Sequence, residues 1–220
     1  MAQFRFNKNI FMIISLTFTS LLGFPIISPA LPAAREALDI SIQNIGWVMA
    51  AYSLPGLLFM PLAGLISDRY GKRRVLFPSL LLFALAGGAC SLATNQETLF
   101  ALRFVQGIGA SALSTINVAM VGDLFRGTDR VKVMGHIGAT QNIGSGILPM
   151  LGGALAGFAW FYPFMVSLMA IPVGIYMIFA MEVVKHETTA ENPGTRGFLG
   201  HAFSQLNNRI VIELVLMTAG

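Results

Sequence analysis

Charged residues are scarce in this sequence of 220 residues, of which only 11% are Asp, Glu, Lys or Arg. Soluble domains average about 25% charged residues. So few charges cannot cover a surface that faces water, which excludes an ordinary soluble globular domain. They are enough for a surface that faces lipid, and 55% of the residues are hydrophobic. The composition therefore predicts a membrane protein that is embedded in the lipid bilayer.

Patterns typical of metal sites and catalysis are also missing. The one cysteine, Cys90, lies in an apolar run and cannot form an internal disulfide, and the three histidines are far apart. We find no nucleophile–base arrangement, phosphate-binding loop or metal motif in the sequence. The prediction is a protein that is not an enzyme, with no catalytic residues, no metal site and no cofactor.

Six apolar segments follow one another along the chain, each near the roughly 20 residues that a membrane-spanning helix needs. The first is longer than the roughly 7–15-residue apolar core of a secretory signal, so we interpret it as a retained helix. The segments cover about residues 9–32, 45–66, 75–94, 99–121, 133–158 and 161–183. We therefore predict an all-α membrane protein whose residues 1–183 form a six-helix transmembrane unit.

Basic residues are strongly biased to one side of these segments. Twelve of the 14 lie in the N-terminal tail, in the loops after the second and fourth segments, or after the sixth segment. Arg35 lies on the opposite side, and Arg103 lies within a span. Because Lys and Arg accumulate in cytoplasmic loops, we predict that the N-terminus and the end of the sixth segment are both cytoplasmic. The bias also explains the net charge of +4 without nucleic acid as a partner.

The last part of the sequence changes in character. Residues 184–209 form the longest polar stretch, and the presence of Pro193 and several glycines is typical of a linker. An apolar run then begins at residue 210 and covers about half of the hydrocarbon thickness by residue 220. We expect a cytoplasmic linker at 184–209 and the truncated start of a seventh transmembrane helix at 210–220.

The loop after the second segment combines glycines, an acid and basic residues in one register. An ordinary basic loop would supply the positive charges, but not two glycines and an aspartate at this spacing. The loop resembles the signature loop of the major facilitator superfamily. The resemblance implies a gate that holds the two halves of a transporter together on the cytoplasmic side, with Lys72 paired to Asp123. The residues assigned to this gating loop are Gly64, Asp68, Arg69, Gly71, Lys72, Arg73 and Asp123.

The fourth segment carries an arginine within an apolar run, followed by small residues. The pattern Arg103, Gln106, Gly107 and Gly109 is similar to the fourth-helix motif of the same family. An arginine inside a membrane span is costly and is functional by default. The resemblance implies a role in proton transfer or in steadying the core. The alternative is a side chain that reaches the nearby membrane interface.

The fifth segment resembles the motif of the antiporter branch of the family, through Gly144, Pro149, Gly152 and Gly153. Leu148 stands where that motif has glycine. A glycine-lined packing face with a kink would explain the same residues, and the two interpretations are compatible. The end of the first segment is similar to twelve-helix drug:proton antiporters, although Pro25 stands where some members have an aspartate.

Acidic residues are absent from the middle of all six segments. A proton-coupled carrier normally needs an intramembrane carboxylate, and this sequence offers neutral polar groups instead. They could hydrogen-bond a substrate along a pathway, or they could form ordinary hydrogen bonds between helices. The candidates for the pathway lining are Tyr52, Asn117, Gln141 and Asn142.

The resemblance implies the N-terminal half of a carrier, built as two inverted three-helix repeats. The function expected from it is proton-coupled efflux of drugs or small lipophilic metabolites by alternating access, in a bacterial or archaeal inner membrane. The partners would be a small-molecule substrate, a proton, and a missing C-terminal half or a second copy. The alternative is an inactive fragment, or a membrane subunit that binds another half.

Overall fold

The computed structural model describes residues 8–180, without the side chains of residues 57 and 178–180. The regular structure in this range is helical. Eight α-helices occur in it: α1 (Lys8–Leu21), α2 (Leu31–Ala37), α3 (Ile45–Tyr70), α4 (Lys72–Ala89), α5 (Gln96–Leu124), α6 (Gly127–Phe158), α7 (Tyr162–Met165) and α8 (Ala170–Ala180). The predicted linker at 184–209 and the predicted start of a seventh helix at 210–220 lie outside the described residues.

Three of these helices are long and apolar enough to cross a membrane: α3, α4 with its 3₁₀ extension to Leu92, and α5. They correspond to the second, third and fourth predicted segments. The helix α6 has 32 residues but is not among them, since glycines and polar residues interrupt its apolar positions. The arrangement of six spans as two inverted repeats stays a prediction.

The first predicted span is broken rather than continuous. Helix α1 ends at Leu21, turns follow, and a 3₁₀ helix at Ser28–Ala30 leads into α2. Prolines explain the break, since Pro29 and Pro32 each lie in the first two positions of a new helix, and Pro25 lies in the turns. Proline has no backbone N–H to donate and suits a helix start. We call residues 22–30 the first-span break.

The sixth predicted span is also interrupted. It begins as the short helix α7, continues as a 3₁₀ helix at Val166–Met169, and becomes α8. Helix α7 starts with Pro163 in its first two positions. The tighter 3₁₀ turn brings the polar side chain of Ser167 into the protein interior, where it is fully buried.

Helix α5 is the centre of the fold and packs most extensively against α3 and α4. Glycines at two positions allow this approach. A Cβ atom on Gly107 would overlap the backbone carbonyl of Tyr52 in α3, and one on Gly109 would lie 2.8 Å from the backbone of Ser79 and Phe83 in α4. Small residues of this kind let membrane helices pack backbone to backbone.

Helix α3 contrasts with α5, because little of its apolar stretch is buried. Large apolar side chains project from it into the surroundings, and they are Leu54, Leu58, Met60, Leu62 and Ile66. A surface of this kind is expected where a protein faces lipid or another apolar partner.

Candidate functional site

A cavity of about 520 Å³ lies among α1, α3, α5, α6 and the first-span break. This volume is in the usual range for sites that hold a small organic molecule. Its wall combines apolar and neutral polar side chains, and no charged residue is among those that line it. The polar side chains of the wall are Thr17, Ser20, Tyr52, Ser53, Ser111, Ser114, Asn117, Gln141 and Ser145.

Three of the four residues predicted to line a pathway lie in this wall, namely Tyr52, Asn117 and Gln141. Asn142 is exposed and does not line the cavity. Successive residues of a helix point about 100° apart, so Gln141 and its neighbour cannot both face the same space. The pathway stays a prediction, and the geometry brings three of its four predicted residues together in this cavity while Asn142 lies outside it.

Asn117 of α5 forms a hydrogen bond to Thr17 of α1, and both residues line the cavity. Its Nδ2 atom donates to Thr17 Oγ1 over 2.8 Å, and the Thr17 hydroxyl donates to the carbonyl of Ile13 over 2.8 Å. The amide is 5% exposed, and its Oδ1 atom has no hydrogen-bond partner among the described residues. Buried acceptors without a partner are uncommon in folded proteins and are costly.

Arg103 lies in the first third of α5, where its side chain is fully buried within the protein. Its Nη1 atom donates to the carbonyl of Gly23 and to Gln106 Oε1, both over 2.8 Å. Its Nε atom donates to the carbonyl of Val48 over 3.3 Å. The guanidinium carbon lies 4.4 Å from the centre of the Tyr52 ring, which adds a cation–π contact. Neutral dipoles and a ring face thus surround this cation.

Gln106 extends this network to the interrupted sixth span. Its Nε2 atom donates to Ser167 Oγ over 3.0 Å, while its Oε1 atom accepts from Arg103. The network of Arg103, Gln106 and Ser167 therefore links α5 to the first-span break, to α3 and to the 3₁₀ helix after α7. We call it the arginine network. The sequence predicted Arg103 and Gln106 as a motif, but the backbone carbonyls that Arg103 contacts have no sequence signature.

The gating loop lies at the opposite end of α5. Gly71 joins α3 to α4 with a φ of 89°, a left-handed conformation that favours glycine. Lys72 follows as the first residue of α4, and its Nζ atom donates to a carboxylate oxygen of Asp123 and to the carbonyl of Ala119, the latter over 3.2 Å. The lysine also complements the negative end of the α5 helix dipole.

The other residues assigned to the gating loop do not join this ion pair. Asp68, Arg69 and Arg73 are exposed, and the guanidinium of Arg69 lies 5.7 Å from the Tyr70 ring centre. A Cβ atom on Gly64 would meet Thr115 of α5 at 3.6 Å, which is an ordinary contact. The geometry thus places Lys72 and Asp123 together and leaves the remaining charges of the loop on an exposed surface.

The glycines of the fifth-segment motif pack α6 against the first segment. A Cβ atom on Gly152 would overlap the carbonyl of Ile26, one on Gly144 would lie 2.5 Å from the Leu21 side chain, and one on Gly153 would lie 3.7 Å from Pro29. Pro149 lies inside α6 without ending it. These contacts correspond to the packing-face interpretation, and a gating role for the motif stays a prediction.

Comparison with known proteins identifies the relatives of the chain. The family model for the Major Facilitator Superfamily matches residues 13–219. The bacillibactin exporter of Bacillus subtilis is 32% identical over 165 residues, which cover 71% of this chain and 41% of that protein. Multidrug resistance protein 2 of the same organism is 29% identical, with 80% and 44% covered. The chain therefore spans less than half of the length of these two curated relatives.

Solved structures show the same fold at low sequence identity. The human organic anion transporter MFSD10 has a TM-score of 0.66 and 20% identity, over 80% of this chain and 47% of that one. A D-xylose-proton symporter has a TM-score of 0.65 and 15% identity, over 96% and 54%. Identities this low support the shared architecture and carry no information on the substrate.

Proposed function

This chain belongs to the Major Facilitator Superfamily, and on that premise we propose that it is the N-terminal half of a secondary transporter that exports drugs or small lipophilic metabolites. As a multi-pass membrane protein of this family, it would work by alternating access, with six spans arranged as two inverted three-helix repeats. A second half, either a C-terminal half or a second copy of this chain, would complete the carrier.

The cavity among α1, α3, α5 and α6 is the observation that carries this proposal. It has room for a small organic molecule, at about 520 Å³, and its wall is apolar with scattered neutral polar groups. Such a wall suits a lipophilic or weakly polar substrate. Two relatives, a bacillibactin exporter and a multidrug resistance protein, support the direction of transport and the kind of cargo proposed.

We assign the cytoplasmic gate to the contact between Lys72 and Asp123. The bias of basic residues supports a cytoplasmic location for this end of α5 and for the N-terminus. The pair is only partly exposed, since the two side chains are 13% and 39% exposed. A pair of this kind can form in one state of the carrier and break in another.

A proton is the coupling ion that we propose, and its carrier would lie outside the described cavity wall. The described wall contains no carboxylate that could take up a proton within the membrane. Arg103 is held by two backbone carbonyls and by Gln106 Oε1, so we assign it to steadying the core rather than to binding and releasing the proton.

A second function is that the chain is an inactive fragment or a membrane subunit that only binds another half. Helix α3 favours this alternative, because little of it is buried. Its exposed leucines and methionine could contact an apolar protein partner as well as lipid. The two functions differ in whether the chain itself moves a solute.

Transport in inverted membrane vesicles tests the proposal. A fluorescent lipophilic cation is added outside, and its accumulation is followed with and without a pH gradient. We expect gradient-driven accumulation that Asp123→Asn abolishes. Asp129→Asn is the matched control, because Asp129 forms an exposed ion pair with Lys132 within the first two turns of α6. A well-inserted chain that accumulates nothing would contradict a carrier formed by two copies of this chain and favour the subunit.

A further inference from the structure

One acceptor in the cavity wall is left without a donor. Thr17 has a single hydroxyl hydrogen, which it donates to the carbonyl of Ile13. Its oxygen can therefore only accept from Asn117, and this fixes the amide with Nδ2 towards Thr17. The Oδ1 atom of Asn117 consequently faces away from Thr17, and no described group donates to it.

Other hydroxyls of the wall also donate their hydrogens within the protein. Ser20, Ser53 and Ser111 each donate to a backbone carbonyl of their own helix, over 3.0, 3.1 and 2.8 Å. With Thr17, four hydroxyls of the wall thus present oxygen lone pairs and no free hydrogen. The wall formed by α1, α3 and α5 therefore offers hydrogen-bond acceptors to a ligand and few free donors.

The side of the cavity formed by α6 differs, because its polar side chains can still donate hydrogen bonds. Gln141 and Ser145 of α6 can still donate, but both are exposed, so water can satisfy them. Ser114 of α5 is half-buried, and the Tyr52 hydroxyl of the same wall donates to the carbonyl of Ser20 over 3.5 Å. No acidic side chain lines the described wall, so the acceptors there are neutral and do not require a cation.

We propose that this wall selects its ligand by a hydrogen-bond donor: the ligand is an apolar molecule with an N–H or O–H group that donates to Asn117 Oδ1. Ligands that only accept, such as carboxylates and ethers, bind less well because they leave this acceptor unpaired. Oδ1 is closed off by its neighbours in this conformation, so the ligand reaches it by a small movement of the wall. That this ligand is the transported substrate rests on the proposed function.

Two matched pairs of naphthalene probes separate a donor from a charge. The neutral pair is 2-naphthol and 2-methoxynaphthalene, which lacks the donor. The cationic pair is 1-naphthylmethylammonium and its N,N,N-trimethyl derivative, which again lacks the donor. Binding to the purified full chain in detergent is measured by the change in naphthalene fluorescence. We expect each donor probe to bind about fivefold to tenfold more tightly than its partner, which is the usual contribution of one hydrogen bond in a buried site.

Asn117→Leu removes the acceptor while keeping the size of the side chain. We expect both preferences to fall to about twofold or less, because the donor then has no partner at that position. Asn142→Leu is the control of the same residue type, since Asn142 is exposed and outside the cavity wall, and it should leave both preferences unchanged. Differences in partitioning of the probes into detergent cancel when the ratios of two variants are compared.

Thr17→Val is a second variant that does not depend on tolerance of Asn117→Leu. It removes the acceptor that holds Nδ2, so the amide can turn and offer a donor to the cavity. The preference for 2-naphthol over 2-methoxynaphthalene should then also fall. Elution volume on size exclusion and helical circular dichroism check that each variant is folded.

The inference is overturned if the donor preference is the same in Asn117→Leu as in the parent chain, or if both cations bind equally and more tightly than both neutral probes. Because the measurement needs no ion gradient, it is independent of transport. A donor preference in a chain that accumulates nothing in vesicles would contradict the proposed transport alone. Gradient-driven accumulation without any donor preference would contradict this inference alone.

Discussion

The two ends of α5 hold their charges in opposite ways. Near the start of the helix, Arg103 is fully buried and is held by two backbone carbonyls, the Gln106 side chain and the face of Tyr52. Near its end, Asp123 is partly exposed and is paired with Lys72. The first arrangement joins several elements through one side chain, whereas the second joins only the start of α4 to the end of α5.

Burial decides how easily each arrangement can change. Removing one partner from a buried charge network leaves polar groups without water and costs several kcal/mol. A partly exposed ion pair contributes less, on the order of 1 kcal/mol, because water compensates in part for the loss of the partner. We therefore propose a fixed structural role for the Arg103 end and a reversible role for the Lys72–Asp123 end.

Arg103→Leu is expected to have the largest effect on folding. It removes the donor from the carbonyls of Gly23 and Val48 and from Gln106, and we expect a loss of about 3 kcal/mol or more in stability. Arg103→Lys should not restore it, since an ammonium group cannot reproduce the planar fork of donors. Thermal unfolding of the purified chain, followed by circular dichroism, measures the effect.

Arg74→Leu is the control for Arg103→Leu, because Arg74 is an exposed arginine of α4. It should change the melting temperature little. A melting temperature of Arg103→Leu equal to that of the control would break the comparison between the two ends of α5.

Gly107→Ala should have the next largest effect. Its Cβ atom would overlap the Tyr52 carbonyl, which is backbone and cannot turn aside, so α3 and α5 must separate. We expect a loss of about 1–3 kcal/mol. Gly122→Ala at the other end of the same helix is the control, since its Cβ would lie 3.9 Å from a flexible Arg130 side chain. Equal melting temperatures for these two variants would show that α5 is not more tightly packed near Arg103.

Asp123→Asn should have the smallest effect on stability, at about 1 kcal/mol or less. The same applies to Lys72→Gln, since both changes break one partly exposed ion pair. Melting temperatures measured at low and high salt check this, because screening weakens exposed pairs and should reduce the difference from the parent chain. A loss as large as that of Arg103→Leu would mean that the pair is a structural element rather than a gate.

The helices α3, α4 and α5 could be predicted from apolar length, because a span in lipid must satisfy its backbone hydrogen bonds within one helix. The breaks in the first and sixth spans were missed, although Pro25, Pro29 and Pro163 carry the signal. Apolar length alone does not distinguish a continuous helix from two shorter ones joined by a 3₁₀ turn.

The candidate site could be predicted only in part, for reasons of geometry. Tyr52, Asn117 and Gln141 were selected as neutral polar residues within spans, and they share one cavity. Asn142 satisfied the same criterion but points elsewhere on α6. The hydrogen bond of Asn117 to Thr17, and the acceptor that it leaves unpaired, depend on the packing of α1 against α5 and have no counterpart in the sequence pattern.

The central claim is that the Lys72–Asp123 pair acts in transport while contributing little to stability. Its most direct test is the accumulation of a fluorescent lipophilic cation in inverted vesicles by Asp123→Asn, at insertion and melting temperature matched to the parent chain. We expect gradient-driven accumulation to be lost in Asp123→Asn and kept in Asp129→Asn. Accumulation by Asp123→Asn at the parental rate would contradict it.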